Sequence, residues 1–471
     1  MSWEHEVSAA GDDEIFGSSL NGQSMRYTQF TDDQVTQMLD TIGAKSIDAL
    51  FAPVPASLRL DKPLAIPEGI SELELLRDLG AMASQNKDCE QQVCFLGGGA
   101  YDHFIPTVVD AMSSGQSEFL TAYTPYQAEA SQGILQLFYE FQTMVCELTG
   151  MEVANASLYE FASAAAEAVL MATGITKRRR VLVAQSSHPD TRKTLVGYLR
   201  QQGVELVTLP SRNGVLDAAA LSSALDDDVA AVVIQSPNFF GCLERIDRII
   251  PVIHEHGALA IVSTDPIACG VLKPPGAFDA DIVVGEGQPL GIPLQYGGPY
   301  LGLLATREKY LRKMPGRVVG MTHDREGRRG FCLALQTREQ HIKRERATSN
   351  ICTNQGLLAV RASVYLAAMG KIGIGKVASQ CFDKAHYAAE QIAQLDAYEL
   401  RFPGAPFFKE FVVRTSHRVS AALKACKDRG ILGGVALGRF DEGYDDCFLV
   451  AVTEKRSKKE IDDLVAALDA A

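Results

Sequence analysis

Residues 229–265 read VAAVVIQSPNFFGCLERIDRIIPVIHEHGALAIVSTD, and this stretch carries the clearest signal of the fold. An apolar run (229–235) is followed by a helical pattern (246–257) and a second apolar run (259–264). Strands that alternate with helices are typical of a largely parallel sheet covered on both faces. Further apolar runs of this kind lie at 181–185, 205–209, 281–286 and 301–306. We therefore predict an α/β fold, whose ligands would bind beyond the carboxyl ends of the strands.

Helical patterns flank this region on both sides. Thr31 and Ser71 each begin a capping box, an amphipathic run ends at Gly150, and an alanine-rich helix covers about 157–173. From about 357 the pattern is mostly helical and then mixed, with strands near 408–414, 433–438 and 447–453. The predicted domains are an N-terminal helical arm (25–95), a large α/β domain (96–335), and a helical connection with a small C-terminal α+β domain (336–471).

The first 24 residues differ from the rest, because they contain no Lys or Arg and hold the only tryptophan. Secretory signals and mitochondrial presequences both need basic residues. We interpret residues 1–24 as a disordered extension or tag, and Met25 as a plausible native start.

Composition limits the classes of function. The net charge of −13 disfavours nucleic acid and anionic membranes as partners. We find no run of about eighteen uncharged apolar residues, so no membrane span is predicted and we expect a cytoplasmic protein. The ten cysteines have no C-x-x-C spacing, which favours free and mostly buried thiols.

The triple glycine Gly97-Gly98-Gly99 lies in FLGGGAYDHFIP. Neither a following Lys-Ser/Thr nor a G-x-G-x-x-G pattern supports a nucleotide loop. A tight turn with close backbone approach is favoured, and the neighbouring Tyr101 and His103 could line a pocket.

Other polar candidates are weaker. His254 and His256 do not share a helical face, so we predict no metal site. Between Arg307 and Arg346 twelve Lys/Arg face five Asp/Glu, which indicates a solvated surface or, alternatively, a docking face for an acidic partner. Asp265 follows a strand and is either a turn residue before Pro266 or a carboxylate that holds the ring nitrogen of a cofactor.

Five long segments together resemble one family, subunit 1 of bacterial glycine dehydrogenase (decarboxylating), part of the P-protein of the glycine cleavage system. The segments are FLGGGAYDHFIP (95–106), SEFLTAYTPYQAEASQGILQLFYEFQTMVCELTGMEVANAS (117–157), QSPNFFG (235–241), DADIVVGEGQPLGIPLQYGGPYLG (279–302) and TREQHIKRERATSNICTNQ (337–355). They lie between residues 95 and 355.

The resemblance implies the architecture of fold-type-I enzymes that use pyridoxal phosphate (PLP): a helical arm, a large mostly parallel sheet domain and a small C-terminal domain. It also implies a partner, subunit 2, which carries PLP in an α2β2 assembly. The PLP decarboxylates glycine, and the aminomethyl group passes to the lipoyl group of H-protein. T-protein and lipoamide dehydrogenase are functionally linked.

Two positions depart from a PLP-binding chain. When Gly297-Gly298-Pro299 is aligned with the partner's G-G-P segment, the cofactor lysine falls on Gln288, which has no amine. Lys273 is the nearest lysine in sequence and lies on a Lys-Pro-Pro loop. Phe161 stands where the family has glycine, at a helix start where a phosphate would need close approach. We therefore expect no covalent PLP, with Asp265 and Gln288 as a relic site.

By the same resemblance, this subunit completes the partner's PLP and substrate site. The candidate residues are Tyr101, His103, Tyr123, Tyr126 and Glu129, with Thr348, Ser349, Asn350 and Thr353 as contacts on the phosphate side. No catalytic residue is expected in this chain alone. The alternatives are a catalytically silent scaffold, a divergent PLP-enzyme-like paralogue, and a nucleic-acid binder that uses 307–346.

Overall fold

A computed structural model describes residues 30–59, 65–67, 69–120, 124–351 and 354–471. The chain divides into two units, Met1–Gln85 and Asn86–Ala471.

The helices of the described residues are α1 (Asp32–Ile42), α2 (Glu72–Ala83), α3 (Thr107–Gly115), α4 (Ser117–Leu120), α5 (Gln132–Thr149), α6 (Phe161–Thr176), α7 (Pro189–Arg200), α8 (Ala218–Ala224), α9 (Ile246–Glu255), α10 (Gln340–Lys343), α11 (Gly356–Ile392), α12 (Val419–Asp428) and α13 (Lys458–Asp469). The predicted capping boxes of Thr31 and Ser71 are both formed. Gly150 ends α5 in the left-handed conformation, where glycine carries no steric cost.

The strands are β1 (Val93–Cys94), β2 (Val153–Ala154), β3 (Arg180–Ala184), β4 (Glu205–Leu209), β5 (Ser211–Arg212), β6 (Val215–Leu216), β7 (Val229–Gln235), β8 (Leu259–Thr264), β9 (Ile282–Glu286), β10 (Gly302–Thr306), β11 (Val318–His323), β12 (Arg329–Ala334), β13 (Tyr398–Leu400), β14 (Glu410–Thr415), β15 (Ile431–Leu432), β16 (Val435–Ala436) and β17 (Cys447–Ala451). All six apolar runs predicted as strands of the large domain are strands.

The second unit is built on a seven-stranded sheet in the order β2-β10-β9-β8-β7-β3-β4. The strands from β9 to β4 pair in parallel, whereas β10 is antiparallel to both of its neighbours. Alternate residues of each strand enter two different cores. Val232 and Ile234 pack with α5, α9 and α11, while Ala231 and Val233 pack with α6 and α7. Both faces of the sheet are therefore covered, as predicted.

A smaller sheet in the order β13-β14-β17-β16 forms the C-terminal part of the second unit. α12, α13 and the last third of α11 pack on it around Phe448 and Val450. β1 pairs in parallel with β15, so the segment that leads to the triple glycine starts beside this domain.

α11 is long and apolar enough to span a membrane by length and composition alone, although half of its most apolar window is buried within the protein. Its contacts with α3 and α5 are those of a core helix.

The first unit has amphipathic helices without a buried face. None of its described residues is buried, and many of its apolar side chains are exposed, including Leu76 (64%), Leu79 (53%) and Met82 (62%) on α2.

Candidate functional site

A narrow pocket lies beyond the carboxyl ends of the parallel strands, where the fold predicts a ligand site. Gln235 ends β7, Asp265 follows β8, and Glu286 ends β9; all three line the pocket. The free volume is about 40 Å³, which is space for about three water molecules. The pocket is therefore filled mainly by side chains of the chain itself.

Lys409 is the central side chain of this pocket. It lies one residue before β14, and its side chain is only 2% exposed. Its Nζ lies 2.6 Å from Oδ2 of Asp265 and 3.0 Å from Nε2 of His103. The ammonium also lies 3.5 Å from the ring centre of Tyr101. A buried cation that is so fully paired is electrostatically satisfied.

Glu410, the next residue, joins the triple-glycine turn to the pocket. It accepts hydrogen bonds from the Gly98 N–H (2.7 Å) and the Tyr101 hydroxyl (2.8 Å). Burial raises the pKa of Glu410 to about 7. A Cβ on Gly97 would lie 2.2 Å from Glu410 Oε1, so the glycine is required by close approach, as the sequence predicted.

Behind Lys409, His103 connects to Glu454. His103 Nδ1 lies 2.6 Å from Glu454 Oε2, and the Phe104 N–H donates to the other oxygen of Glu454. Burial alone would raise the pKa of Glu454, but His103 and the Phe104 N–H lower it to about 2. Ligand atoms of His103, Cys381 and Glu454 lie within 4.8 Å of one another, a spacing that could hold a metal ion. Their hydrogen bonds already satisfy one another.

Gln288 is held as a structural residue. Its amide oxygen accepts from the Tyr101 N–H at 2.9 Å, and its amide nitrogen donates to the carbonyls of Tyr101 and Ile292. The side chain is buried. It fixes the Tyr101 backbone at the pocket wall.

The N-terminus of α6 lies at the pocket, and carboxylates accept from two of its first N–H groups, those of Phe161 and Ser163. Glu160 caps the helix by accepting from the Ser163 N–H at 2.7 Å. Glu286 accepts from the N–H groups of Phe161 (3.1 Å), Gln288 (3.0 Å) and Leu301 (2.9 Å). Burial raises the pKa of Glu286 to about 7, against the effect of these three backbone donors.

Two other predicted residues, Tyr126 and Glu129, line a second and more open cleft of about 530 Å³. The guanidinium of Arg317 lies 4.0 Å from the ring centre of Tyr126. The Tyr126 hydroxyl donates to Asn354, whose amide in turn donates to Ser157 Oγ. The structure thus connects the TAYTPYQAE and ATSNICTN segments, which were predicted separately.

The predicted residues 348–350 lie along α6 instead. Ser349 lies beside Glu167 of that helix, and its Oγ accepts from the Ile351 N–H. The methyl group of Thr348 faces Gly174, and Asn350 is exposed. Tyr123 and Thr353 lie outside the described residues. Of their sequence neighbours, Thr124 lines the second cleft, and Asn354 accepts a hydrogen bond from Tyr126.

The structure therefore places the predicted residues in three groups. Tyr101 and Asp265 line the narrow pocket with His103 and Gln288 packed behind it, Tyr126 and Glu129 line the open cleft, and residues 348–350 follow α6. Lys409 was missed. The signal was present in PFFKEFVV (406–413), where a lysine and a glutamate interrupt an apolar strand, because such residues are rarely buried unless they are paired.

The remaining polar candidates have ordinary surroundings. His254 Nε2 lies 2.8 Å from Asp281 Oδ2 at the end of α9. Several cations of 307–346 are paired within the chain, as Arg328 is with Asp324 and Glu326. The nine cysteines among the described residues are free thiols.

Comparison with known proteins identifies one family. The model of the glycine cleavage system P-protein family matches residues 25–468. "Probable glycine dehydrogenase (decarboxylating) subunit 1" of Desulfitobacterium hafniense is 50% identical over 94% of this chain and 99% of its own length. The protein of the same name from Prosthecochloris aestuarii is 51% identical over 95% of this chain and 100% of its own length.

Solved structures agree. A crystal structure of glycine decarboxylase (P-protein) of the glycine cleavage system, in inhibitor-bound form, shares 42% identity with a TM-score of 0.86, covering 95% of this chain and 100% of that chain. A sphingosine-1-phosphate lyase of Burkholderia pseudomallei, at 15% identity and a TM-score of 0.64, covers 88% of this chain and 94% of its own. These likenesses confirm the predicted fold class.

Proposed function

This chain belongs to the glycine cleavage system P-protein family, and we propose that it is the subunit of a two-subunit glycine decarboxylase that does not itself hold PLP. The observation that carries the proposal is the 2.6 Å contact between Lys409 Nζ and Asp265 Oδ2. In PLP enzymes an acidic partner of this kind meets the ring nitrogen of the cofactor. Here the Lys409 ammonium lies against that carboxylate, so Asp265 already has a cationic partner.

The other end of the pocket supports the same proposal. A phosphate at the start of α6 would need free N–H groups and a glycine-like approach. Phe161 occupies the first helical position, and Glu286 and Glu160 accept from the helix N–H groups. The residues present therefore do not fit PLP.

The position of Gln288 supports it further. This residue aligns with the cofactor lysine of the partner, and an amide cannot form the covalent bond that the lysine makes. Lys409 is not an alternative in this arrangement, because its Nζ is paired with Asp265 on the side where the ring nitrogen would lie. We infer that the partner subunit holds the cofactor, which stabilises the negative charge left when glycine loses CO2.

We propose that the open cleft is this chain's contribution to the partner's active site. Active sites of fold-type-I dimers lie at the subunit junction, and the cleft presents an aromatic ring, a guanidinium and a carboxylate from Tyr126, Arg317 and Glu129. Tyr101 and His103 are buried against Lys409, so we assign them to this chain's own pocket. H-protein, with its lipoyl group, would receive the aminomethyl group from the partner's site.

The arm gives a second surface for assembly. α2 exposes a stripe of leucine and methionine side chains, and an apolar stripe of this kind is typical of a subunit contact. We propose that this stripe packs on the partner subunit. A catalytically silent scaffold is the second candidate function, favoured by the pairing of Asp265 with Lys409 inside the pocket.

The test is glycine decarboxylation by the assembled complex with H-protein as acceptor. Tyr126→Phe removes the hydroxyl that donates to Asn354, so we expect kcat to fall about three- to tenfold. Tyr387→Phe is the matched control, because the Tyr387 hydroxyl also donates to a side chain, Asp462, but in the small domain. A complex that assembles fully and keeps full turnover with Tyr126→Phe would contradict the shared site and favour the scaffold.

A further inference from the structure

We propose that this chain carries built-in counter-charges in place of a cofactor: the Lys409 ammonium at Asp265 replaces a ring nitrogen, and the Glu286 carboxylate at α6 replaces a phosphate. The inference rests on the proposed function, since it presupposes that this pocket holds no PLP. It explains how the pocket of a ligand-binding fold stays folded without the ligand: side chains of the chain supply the missing charges.

The first charge concerns Asp265. A buried carboxylate without a partner is strongly destabilising. In a PLP enzyme the ring nitrogen supplies that partner. Lys409 supplies it here at 2.6 Å, from a different domain of the fold, just before β14.

The surroundings of Lys409 fit a permanent partner. Its ammonium donates to Asp265 and His103 and lies over the face of Tyr101. Because Nε2 of His103 accepts from Lys409, Nδ1 carries the proton and donates to Glu454. Asp265, Lys409, His103 and Glu454 thus form one continuous run of hydrogen bonds, which joins the end of β8 to the small domain.

The second charge concerns the start of α6. Free N–H groups at a helix N-terminus attract a phosphate. Glu286 brings a carboxylate to the same place and accepts from Phe161, Gln288 and Leu301 at 2.9–3.1 Å. Since Gln288 and Leu301 lie outside α6, this carboxylate also fixes the loop that follows β9.

Together the two groups reproduce the charge pattern of a phosphorylated pyridine: a cation beside Asp265 and an anion at the helix start. Lys409, Glu286 and Phe161 all line the pocket where such a ligand would lie. Removing both counter-charges and the Phe161 side chain should therefore recreate affinity for it.

The first experiment measures thermal unfolding of the full chain in a double-mutant cycle of Lys409→Met and Asp265→Asn. We expect each single variant to lower Tm by about 5 °C or more, and the double variant to lose clearly less than the sum. The control cycle, Lys424→Met with Asp428→Asn, removes an exposed pair on α12 and should show almost no coupling. Additive losses at Lys409 and Asp265 would overturn the first half of the inference.

The second experiment titrates pyridoxine 5′-phosphate, which lacks the aldehyde and cannot react with lysines, into the full chain and into the variant Phe161→Gly/Glu286→Ala/Lys409→Met. We expect the variant to bind at least about tenfold more tightly than the unaltered chain, and to gain clearly less for unphosphorylated pyridoxine, which can use Asp265 but not the start of α6. Equal binding by both proteins, or no gain by a folded variant, would overturn the second half.

The two experiments separate this inference from the proposed function. Tight binding of pyridoxine 5′-phosphate by the unaltered chain would contradict both. Weak binding by the unaltered chain together with no gain in the variant would contradict only the counter-charges and leave the non-PLP subunit standing.

Discussion

The ammonium of Lys409 lies 2.6 Å from the carboxylate of Asp265, although 144 residues separate the two in the sequence and they lie beside strands of different sheets. Through this contact, a side chain of the protein itself takes part of the space in which a fold-type-I enzyme binds its ligand. It also explains why an aspartate remains at a position whose usual ring partner we propose to be absent.

Gln288→Leu should lower the free energy of unfolding by about 3 kcal/mol. The substitution leaves the Tyr101 N–H and the carbonyls of Tyr101 and Ile292 buried without their present partner. Urea unfolding measures the loss. Gln136→Leu is the control, because its amide bonds only Glu140 on the surface of α5 and should cost less than about 0.5 kcal/mol. Equal losses would mean that Gln288 does not hold the pocket wall.

Glu410→Gln should change the dependence of stability on pH. Burial raises the pKa of Glu410 from 4.5 to about 7, so the folded state binds this proton more tightly than the unfolded state. The contribution of Glu410 is therefore most favourable below pH 4.5 and falls as pH rises through 4.5 to 7. Glutamine does not titrate. The variant should gain up to about 3 kcal/mol relative to the unaltered chain between pH 4.5 and pH 8, measured by urea unfolding. A constant difference across this range would disprove the assignment.

Gly97→Ala should destabilise the chain by about 2 kcal/mol or more. Its Cβ would lie 2.2 Å from Glu410 Oε1 and 2.6 Å from the Cβ of Ala451. Gly197→Ala, in α7 where a Cβ meets nothing within 4 Å, should instead stabilise by up to about 1 kcal/mol. Thermal unfolding of both variants compares a glycine that close contacts require with a glycine that has open space around it. Equal effects on Tm would contradict the close approach at Gly97.

Leu76→Asp should weaken assembly with the partner subunit at least about tenfold without changing the unfolding of the isolated chain. The Leu76 side chain is 64% exposed on the apolar stripe of α2. A charge there should therefore leave the stability of the isolated chain unchanged and destabilise only the complex in which the partner covers the stripe. Val196→Asp is the control, an exposed apolar residue on α7. Association is measured by sedimentation; undiminished assembly would rule out the stripe as the contact.

The fold was predictable because its strands are short apolar runs and its helices carry local caps. Helix ends are marked by Thr31, Ser71 and Gly150 through hydrogen bonds to residues no more than four positions away. Such local signals depend little on tertiary contacts. Residues 229–265 contain two continuous apolar runs with a helical period of 3.6 between them, and this combination is typical of an α/β unit.

The site was predictable only in part. Asp265 lies at a strand end, which the fold class alone makes a ligand position. Lys409 is 144 residues further along, and only the packing of the small domain brings it to Asp265. Glu286 lies within the motif 279–302, but its role depends on the backbone N–H groups of Phe161, Gln288 and Leu301. A local sequence pattern does not predict that these three donors meet.

The most direct measurement is reduction with borohydride after incubation with PLP, followed by mass spectrometry, on the full chain alone and on its complex with the partner subunit. The account predicts no specific label on this chain in either sample, and a label on one lysine of the partner in the complex. A stoichiometric label on a lysine of this chain, Lys409 above all, would contradict it and make the protein a PLP enzyme in its own right.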